Sequence, residues 1–403
     1  MSVTNASSRA ITAPINALAE RPEPLWERPF DRSEYELRVQ RTQSALVRDG
    51  LDCLMITDDD NFFYYTGYGG FVQRSRPRFV LIPASGHPVV LVASNIDVII
   101  HEVSALPDIR TYSSIGVAPV DDVLSILRQL LGSTGRIGAE LGYEQRLGMS
   151  ELDFVKLKAS AQGFEWTDAA SLLWGLRMVK TPAELGLLRR ANLAASAGIP
   201  QAFNALRSGM TEIEVSEIFV HTLKACGAQG AQCAVFSGSS GYARTTARPR
   251  PQTIAPGDMM WIDVATHVGG YWCDVSRAAT IGPASEAQSA LQRLIHEATI
   301  ATIATLRAGV KAADVASTCE GEMVARGLMT NSGVNRYGHG IGINVEPPHV
   351  AAYDETTLVA NMVITCEPEI LMESGRFNVE EDVLITDVGH EILTRLPWQI
   401  FEV

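Results

Sequence analysis

The chain has no two cysteines at CxxC spacing, no apolar run approaching the ~20 residues of a membrane-spanning helix, and no surplus of basic residues. The first absence excludes cysteine-based zinc and redox motifs. The six scattered cysteines (53, 226, 233, 273, 319 and 366) instead imply reduced thiols in a cytoplasmic protein. The second absence leaves no helical span. The segment over 1–30 also lacks the hydrophobic core of a secretory signal. Its Pro/Ala/Ser content predicts an arm over the surface or over a neighbouring subunit. As to charge, 33 Lys and Arg stand against 46 Asp and Glu, a net charge of −13. That balance argues against nucleic acid or an anionic membrane as main partner. What is present is 46% apolar and 20% charged residues in a 403-residue chain, the composition of a soluble enzyme with room for two domains.

Helix and strand signals alternate through the first half. Asp31 followed by Glu34 predicts a capping-box helix to about Val47, closed by Gly50. LDCLMIT predicts a buried strand, and DDDNFFYYTGYGGF a turn with an aromatic-rich segment. RFVLIPASGHPVVLVA predicts a hairpin turning at Ser85-Gly86. DDVLSILRQLLG has the amphipathic spacing of a helix, and RIGAEL reads as the next strand. An α/β domain is expected over 31–175 and a second domain over 176–403. In the latter, Thr181-Pro182-Ala183-Glu184 starts a helix to about Leu206, and Thr211 with Glu214 starts another ending at Gly227. Segments 205–227 and 305–327 align at an offset of 100 residues, sharing an Arg-x-Gly turn at Arg207/Gly209 and Arg307/Gly309. We read them as copies of one helix-plus-hairpin unit.

Two hairpins follow these copies, each with two acids. MMWIDVA and YWCDVSR flank Gly269 and Gly270. With Val268-Gly269 as a two-residue loop, Asp263 faces Asp274 directly. MVITCEPEIL and RFNVEEDVLIT flank Glu373-Ser374-Gly375, and a three-residue loop there sets Glu367 opposite Glu381. Four carboxylates in facing pairs repel unless a cation sits among them. Ordinary hairpins with solvated acids are the alternative. Strand alternation points Cys273 and Cys366 to the opposite face, as core residues.

Asp263…Asp274, GHGIG with His339, CEPE and EED, preceded by LRMVKTPAEL and LRSGMTEIEV, resemble the pita-bread metallohydrolases. That family includes methionine aminopeptidase, Xaa-Pro aminopeptidase, prolidase and creatinase. The likeness runs from about residue 31 onward. It implies an α/β domain of the creatinase/prolidase N-terminal type, followed by an α+β pita-bread domain with a pseudo-two-fold internal repeat. It also implies two divalent ions, with Asp274 and Glu381 bridging, Asp263 on one, and His339 and Glu367 on the other. An oxygen-rich set with one imidazole suits Mn, Fe(II), Co or Zn. A homodimer is implied, in which the N-domain reaches the partner's active site.

Two departures bear on activity. The proline-specific peptidases have a histidine where this chain has Thr246, and another in a VHExP sequence where Val345 here directly precedes Glu346. Glu346 is then the candidate catalytic acid, and His349 a candidate to replace the second histidine. Losing the proton donor removes help worth about 10²–10⁴ in rate. Arg76 in FVQRSRPRF aligns with an arginine that binds a substrate carboxylate; a solvated loop is the alternative. Thr246, Arg248 and Tyr68 join it as candidate substrate-binding residues, and Arg244 and Arg250 flank position 246. Tyr64, Tyr65 and Phe71 form an aromatic wall or pack in the core, and His221 and His267 are structural or exposed. The expected function is a binuclear metal-dependent hydrolase, cleaving a C–N bond in a dipeptide or other small carboxylate-bearing molecule. A metal-dependent lyase on a small carboxylate such as dimethylsulfoniopropionate, and a catalytically silent binding protein, are the other readings.

Overall fold

A computed structural model describes residues 28–69, 75–245, 247–328 and 336–403. Phe71, Thr246 and all but the last three residues of the expected arm lie outside the described residues. The first domain runs α1 (Arg32–Asp49), β1 (Cys53–Ile56), α2 (Asp59–Thr66), β2 (Phe79–Pro83), β3 (Val89–Ala93), α3 (Asp97–Val103), β4 (Asp108–Tyr112), α4 (Val120–Leu131), β5 (Gly135–Ala139), α5 (Glu151–Ser160), β6 (Phe164–Asp168) and α6 (Ala170–Arg177). Its sheet has the order β4-β3-β2-β1-β5-β6, antiparallel across β1–β2–β3 and parallel elsewhere. Every residue of β1, β2 and β3 is buried, as their continuous apolar runs require with helices on both faces.

Local chemistry explains two departures from expectation. Asp31 makes no side-chain cap bond, so α1 is bounded mainly by Gly50, whose φ of 67° only glycine adopts readily. DDDNFFYYT is helix α2, not a turn. The Asp58 carboxylate accepts from the backbone N–H of Asp60 and Asn61, so an aspartate run read as loop chemistry is an N-cap.

The second domain comprises α7 (Pro182–Ala205), α8 (Glu212–Ala225), β7 (Gly230–Ser237), β8 (Met259–Val268), β9 (Tyr271–Thr280), α9 (Glu286–Ile303), α10 (Ala312–Ala325), β10 (Arg336–Ile341), β11 (Val345–Ala351), β12 (Val363–Cys366), β13 (Glu369–Met372), β14 (Gly375–Asn378), β15 (Glu381–Ile385), β16 (His390–Ile392) and β17 (Phe401–Glu402). The expected boundary at 175 falls inside α6. The capping boxes at Thr181/Glu184 and Thr211/Glu214 both form. Helices α8 and α10 begin and end 100 positions apart, preceded by Gly209 and Gly309 at φ 88° and 89°. Each copy then feeds one sheet, ordered β17-β9-β8-β7 or β11-β10-β12-β15-β16, with β13-β14 as a separate ribbon. Strand β9 packs against β10, β14 and β15, which brings the two halves together.

One apolar core runs from α1 and β1 through α7 and α8 into β8 and β9, so the two domains share it. A second lies under α9, α10 and β12–β15. Among the described residues no helix is long and apolar enough to cross a membrane.

Candidate metal centre

Strands β8 and β9 turn on Gly269-Gly270, with φ of 59° and 78°. A two-residue turn of this hand needs positive φ at both central positions, which Val268 could not supply. The expected register is therefore displaced by one residue on each strand. Asp263 pairs with Ser276 and Asp274 with Ala265, so the aspartates are diagonal rather than opposed. Both stay on one face, and their side chains still meet in a hydrogen bond.

The second hairpin is corrected more severely. Met372 pairs with Gly375, making Glu373-Ser374 a two-residue loop, and Cys366 lies opposite Glu381. A slip of one residue reverses the face of each side chain. Glu381 accordingly points away from the aspartates, where Arg277 Nη2 donates to its Oε1 at 2.7 Å. Glu380 takes the inward position expected of Glu381. Gly375 misled the loop count because it reads as a turn residue. Its place in β14 is one of close packing, since a Cβ there would lie 2.1 Å from Met259 Sδ.

Asp274, His339 and Glu380 offer donor atoms that all lie within 4.8 Å of one another. His339 Nε2 is 3.7 Å from Asp274 Oδ2 and 3.5 Å from Glu367 Oε1. Asp263, Asp274, His339, Glu367 and Glu380 thus converge from β8, β9, β10 and the breaks in the second ribbon. His339 Nδ1 lies 2.9 Å from Gly340 O, which it can bond only by donating. Its Nε2 is left as a lone-pair donor turned to the carboxylates, the tautomer a cation requires.

The electrostatics fit a cation equally well. Burial pushes Asp263 up to about 6 and Glu367 to about 7, against a lowering contact from Asp274 in the first case and Arg336 in the second. Asp274 and Glu380 are driven well above the carboxylate range, first by burial and then by each other's neighbourhood of Asp263, Glu367 and Asp382. Burial, then Arg336, holds His339 down at about 3, so it stays neutral and available. Like charges concentrated in a buried site with a neutral imidazole are relieved by divalent cations.

Beside this cluster lies a cavity of about 280 Å³, lined by Asp263, Asp274, Gln232, Trp272, Asn344 and Val345 among others. The remaining expected site residues are elsewhere. Glu346 is turned out of the cavity. Arg177 Nη2 and Lys180 Nζ donate to its two oxygens at 2.7 and 2.8 Å. Burial alone would raise its pKa, but Lys180 and Arg177 prevail and hold it below the usual value. It is a paired anion, not a proton carrier. His349 Nε2 contacts Glu144 Oε1 at 2.8 Å and does not line the cavity. Val345 does line it.

Arg76 is half-buried near Tyr112 and borders neither this cavity nor a second one of about 190 Å³. Arg78 lines that second cavity with Tyr68, His267 and Trp272, paired to Asp59 and stacked over Phe62 and Tyr68. Tyr64 and Tyr65 are core residues. Arg248 is exposed. Arg250 is consumed by Glu212, to which it donates through N, Nε and Nη2. Sequence reasoning missed Glu380, Arg78, Arg177 and Lys180. Glu380 had a direct signal as the other glutamate of the EED run, whereas Arg177 and Lys180 in LRMVKTPAEL and Arg78 in FVQRSRPRF had only their place in those stretches.

An α/β domain ahead of a duplicated helix-and-hairpin unit, with four acids and one imidazole between its halves, defines a metal-dependent hydrolase. The sequence pattern of Metallopeptidase family M24 matches residues 186–387, and that of the Creatinase/Prolidase N-terminal domain matches 38–179. The chain belongs to metallopeptidase family M24. It is 24% identical over 369 residues to a Pyrococcus horikoshii Xaa-Pro dipeptidase, covering 89% of this chain and 97% of that one. The solved dipeptidase PepE of Mycobacterium ulcerans superposes with a TM-score of 0.81 at 26% identity, over 93% of this chain and 99% of that one. A prolidase from Thermococcus sibiricus shares the fold with a TM-score of 0.82 at 21% identity, over 92% and 99%.

Proposed function

We propose that this protein is a binuclear metal-dependent hydrolase that cleaves the amide bond of a dipeptide or similar small carboxylate-bearing substrate. The convergence of Asp263, Asp274, His339, Glu367 and Glu380 carries the reading, because four carboxylates around one neutral imidazole bring more negative charge than a single divalent ion balances. Divalent cations held there supply Lewis acidity toward a carbonyl oxygen and lower the pKa of water. The chain's own residues do the rest. His339 presents Nε2, the carboxylates balance the charge, and Trp272, Ile341 and Val345 wall the cavity with apolar surface. Dipeptidase names among the relatives support a dipeptide-sized substrate.

The described residues lining the cavity include no histidine. A peptidase using this site delivers the leaving-group proton without an imidazole, which favours modest turnover or a leaving group that needs little help. Arg76 borders neither of the two cavities described above, which supports a role for it across a homodimer interface, at a substrate carboxylate in the partner subunit. The six thiols are free and five are buried, which supports a reducing, cytoplasmic setting. The test is hydrolysis of a dipeptide panel by metal-depleted and by Mn-, Co- or Zn-reloaded protein, with products identified. Cation-dependent amine release supports hydrolysis. An unsaturated product favours the lyase, and no turnover with any reloaded ion favours the silent binder. Sedimentation tests the dimer.

A further inference from the structure

Strand β11 is an edge strand whose neighbour in the sheet is β10, yet the pair carries His339 and the cavity wall at Ile341, Asn344 and Val345. Its outer side is fastened to the first domain. At the tip, Asn344 Nδ2 donates to Asp60 Oδ2 at 3.1 Å. In the middle, Glu346 accepts from Arg177 and Lys180. Arg177 Nη1 donates to Asn61 Oδ1 at 2.8 Å, and Asn61 Nδ2 to Glu140 Oε1 at 2.8 Å. The other oxygen of Glu140 accepts from Thr57 N, Thr57 Oγ1 and Asp58 N. Further along, His349 meets Glu144.

The middle link is buried throughout: Arg177 is 3% exposed, Glu346 1%, Asn61 0% and Glu140 1%. Burial pushes Glu140 up to about 8, but four donors and no acceptor face it, which suits the ionised form. Two acids then balance Arg177 and Lys180. Breaking one partner of such a set strands a buried charge.

The link reaches His339 through close backbone contact. Gly340 pairs with Glu346, and a Cβ on Gly340 would stand 2.8 Å from Glu346 O and 2.3 Å from Pro347 O. A Cβ on Gly342 would stand 2.9 Å from both carboxylate oxygens of Glu346. Gly340 O also accepts the His339 Nδ1–H that orients the ring. The glycines of GHGIG therefore seat the hairpin on Glu346.

We propose that the first domain positions the metal centre, through a Glu140–Asn61–Arg177–Glu346–Lys180 chain that holds β11 and thereby the ring of His339. Arg177 and Glu346 are positioning residues in this account, which rests on the metal-centre reading above. Full-length, metal-depleted protein is titrated with Co²⁺ by calorimetry and visible absorption, alongside thermal melting. Arg177→Met should weaken Co²⁺ binding by about 10–100-fold and change the cobalt spectrum, the range seen when a partner behind a ligand is removed. Arg177→Lys, which keeps the charge opposite Glu346 but loses Asn61, should recover part of both. The double variant Asp60→Ala/Glu144→Ala, at one half-buried and one exposed position, leaves Arg177, Lys180 and Glu346 in place, so it serves if Arg177→Met does not fold; it should weaken binding several-fold. Wild-type affinity and spectrum in every soluble variant, with only the melting temperature reduced, would overturn the proposal. A wild-type protein that takes up no cobalt would instead remove the metal-centre reading beneath it.

Discussion

Glu380 and Glu381 are neighbours of the same type, so isosteric changes at the two positions separate their roles. Glu380 is 3% exposed and faces Asp274, Glu367, Asp263 and Asp382, all of its own sign. Glu380→Gln removes a carboxyl group whose ionised form burial and its acidic neighbours already disfavour in the metal-depleted protein, and an anionic donor from the loaded one. Its depleted form should melt at or above the wild-type temperature. Its affinity for Mn²⁺ or Co²⁺ should fall by at least about 100-fold, because loss of a partner behind a ligand already costs 10–100-fold. Glu381→Gln works in the opposite sense. Arg277, 1% exposed, loses its counter-charge but keeps the carbonyl oxygens of Pro397, Ser276 and Glu380 as acceptors. The cost is then about 2–3 kcal/mol, below the 3–5 of a fully stranded buried charge. That lowers the melting temperature by several degrees, with metal affinity within a few-fold of wild type. Melting with and without chelator, beside calorimetric titration, reads both quantities. Weak binding in Glu381→Gln with unchanged binding in Glu380→Gln would refute the register argument and restore the pairing of Glu367 with Glu381.

Further outcomes follow from the same geometry. Asp263 and Glu367 are raised to about 6 and about 7, so their contribution is present below their ordinary values and is lost as pH rises toward 7. Chelated protein should lose stability relative to loaded protein between about pH 4 and 7, and a melting-temperature gap that stays constant with pH would contradict this. Glu212, 0% exposed, accepts from Ser237 N and Oγ and from Arg250, pinning the segment that follows β7. Glu212→Ala should cost about 3 kcal/mol in urea unfolding, and a loss under about 1 would show that water replaces the carboxylate. Gly270→Ala should destabilise by more than about 1 kcal/mol, because φ is 78° and the new Cβ would lie 2.5 Å from Phe63 Cζ. A neutral result would mean that the turn relaxes into another form.

Much of this arrangement was legible without coordinates. Thr181/Glu184 and Thr211/Glu214 declared their helices because capping is local chemistry. The 100-residue repeat emerged as α8 and α10 because the turn at Gly209 and Gly309 is equally local, although Lys311 gives α10 no side-chain cap. The acids of both ribbons were found, but their faces were not equally secure. At Gly269-Gly270 the register moved by one residue on each strand, which preserves the face. At Glu373-Ser374 it moved by one in total, which reverses it. A glycine that reads as a turn residue was needed for contact with Met259, and nothing in RFNVEED states that.

Glu346 shows the same limit from another side. Its partners Arg177 and Lys180 lie more than 160 positions earlier, so no spacing rule links them. The sequence by itself determined the family, the capped starts of α7 and α8, the duplication and four of the five converging donors, because propensity, capping and periodicity act within a few residues. Tertiary structure alone decided which glutamate faces the site, which arginine lines a cavity, and that Glu346 serves as an anchor. Those outcomes depend on the space and charge that distant segments present, and a chain states them only once it is folded.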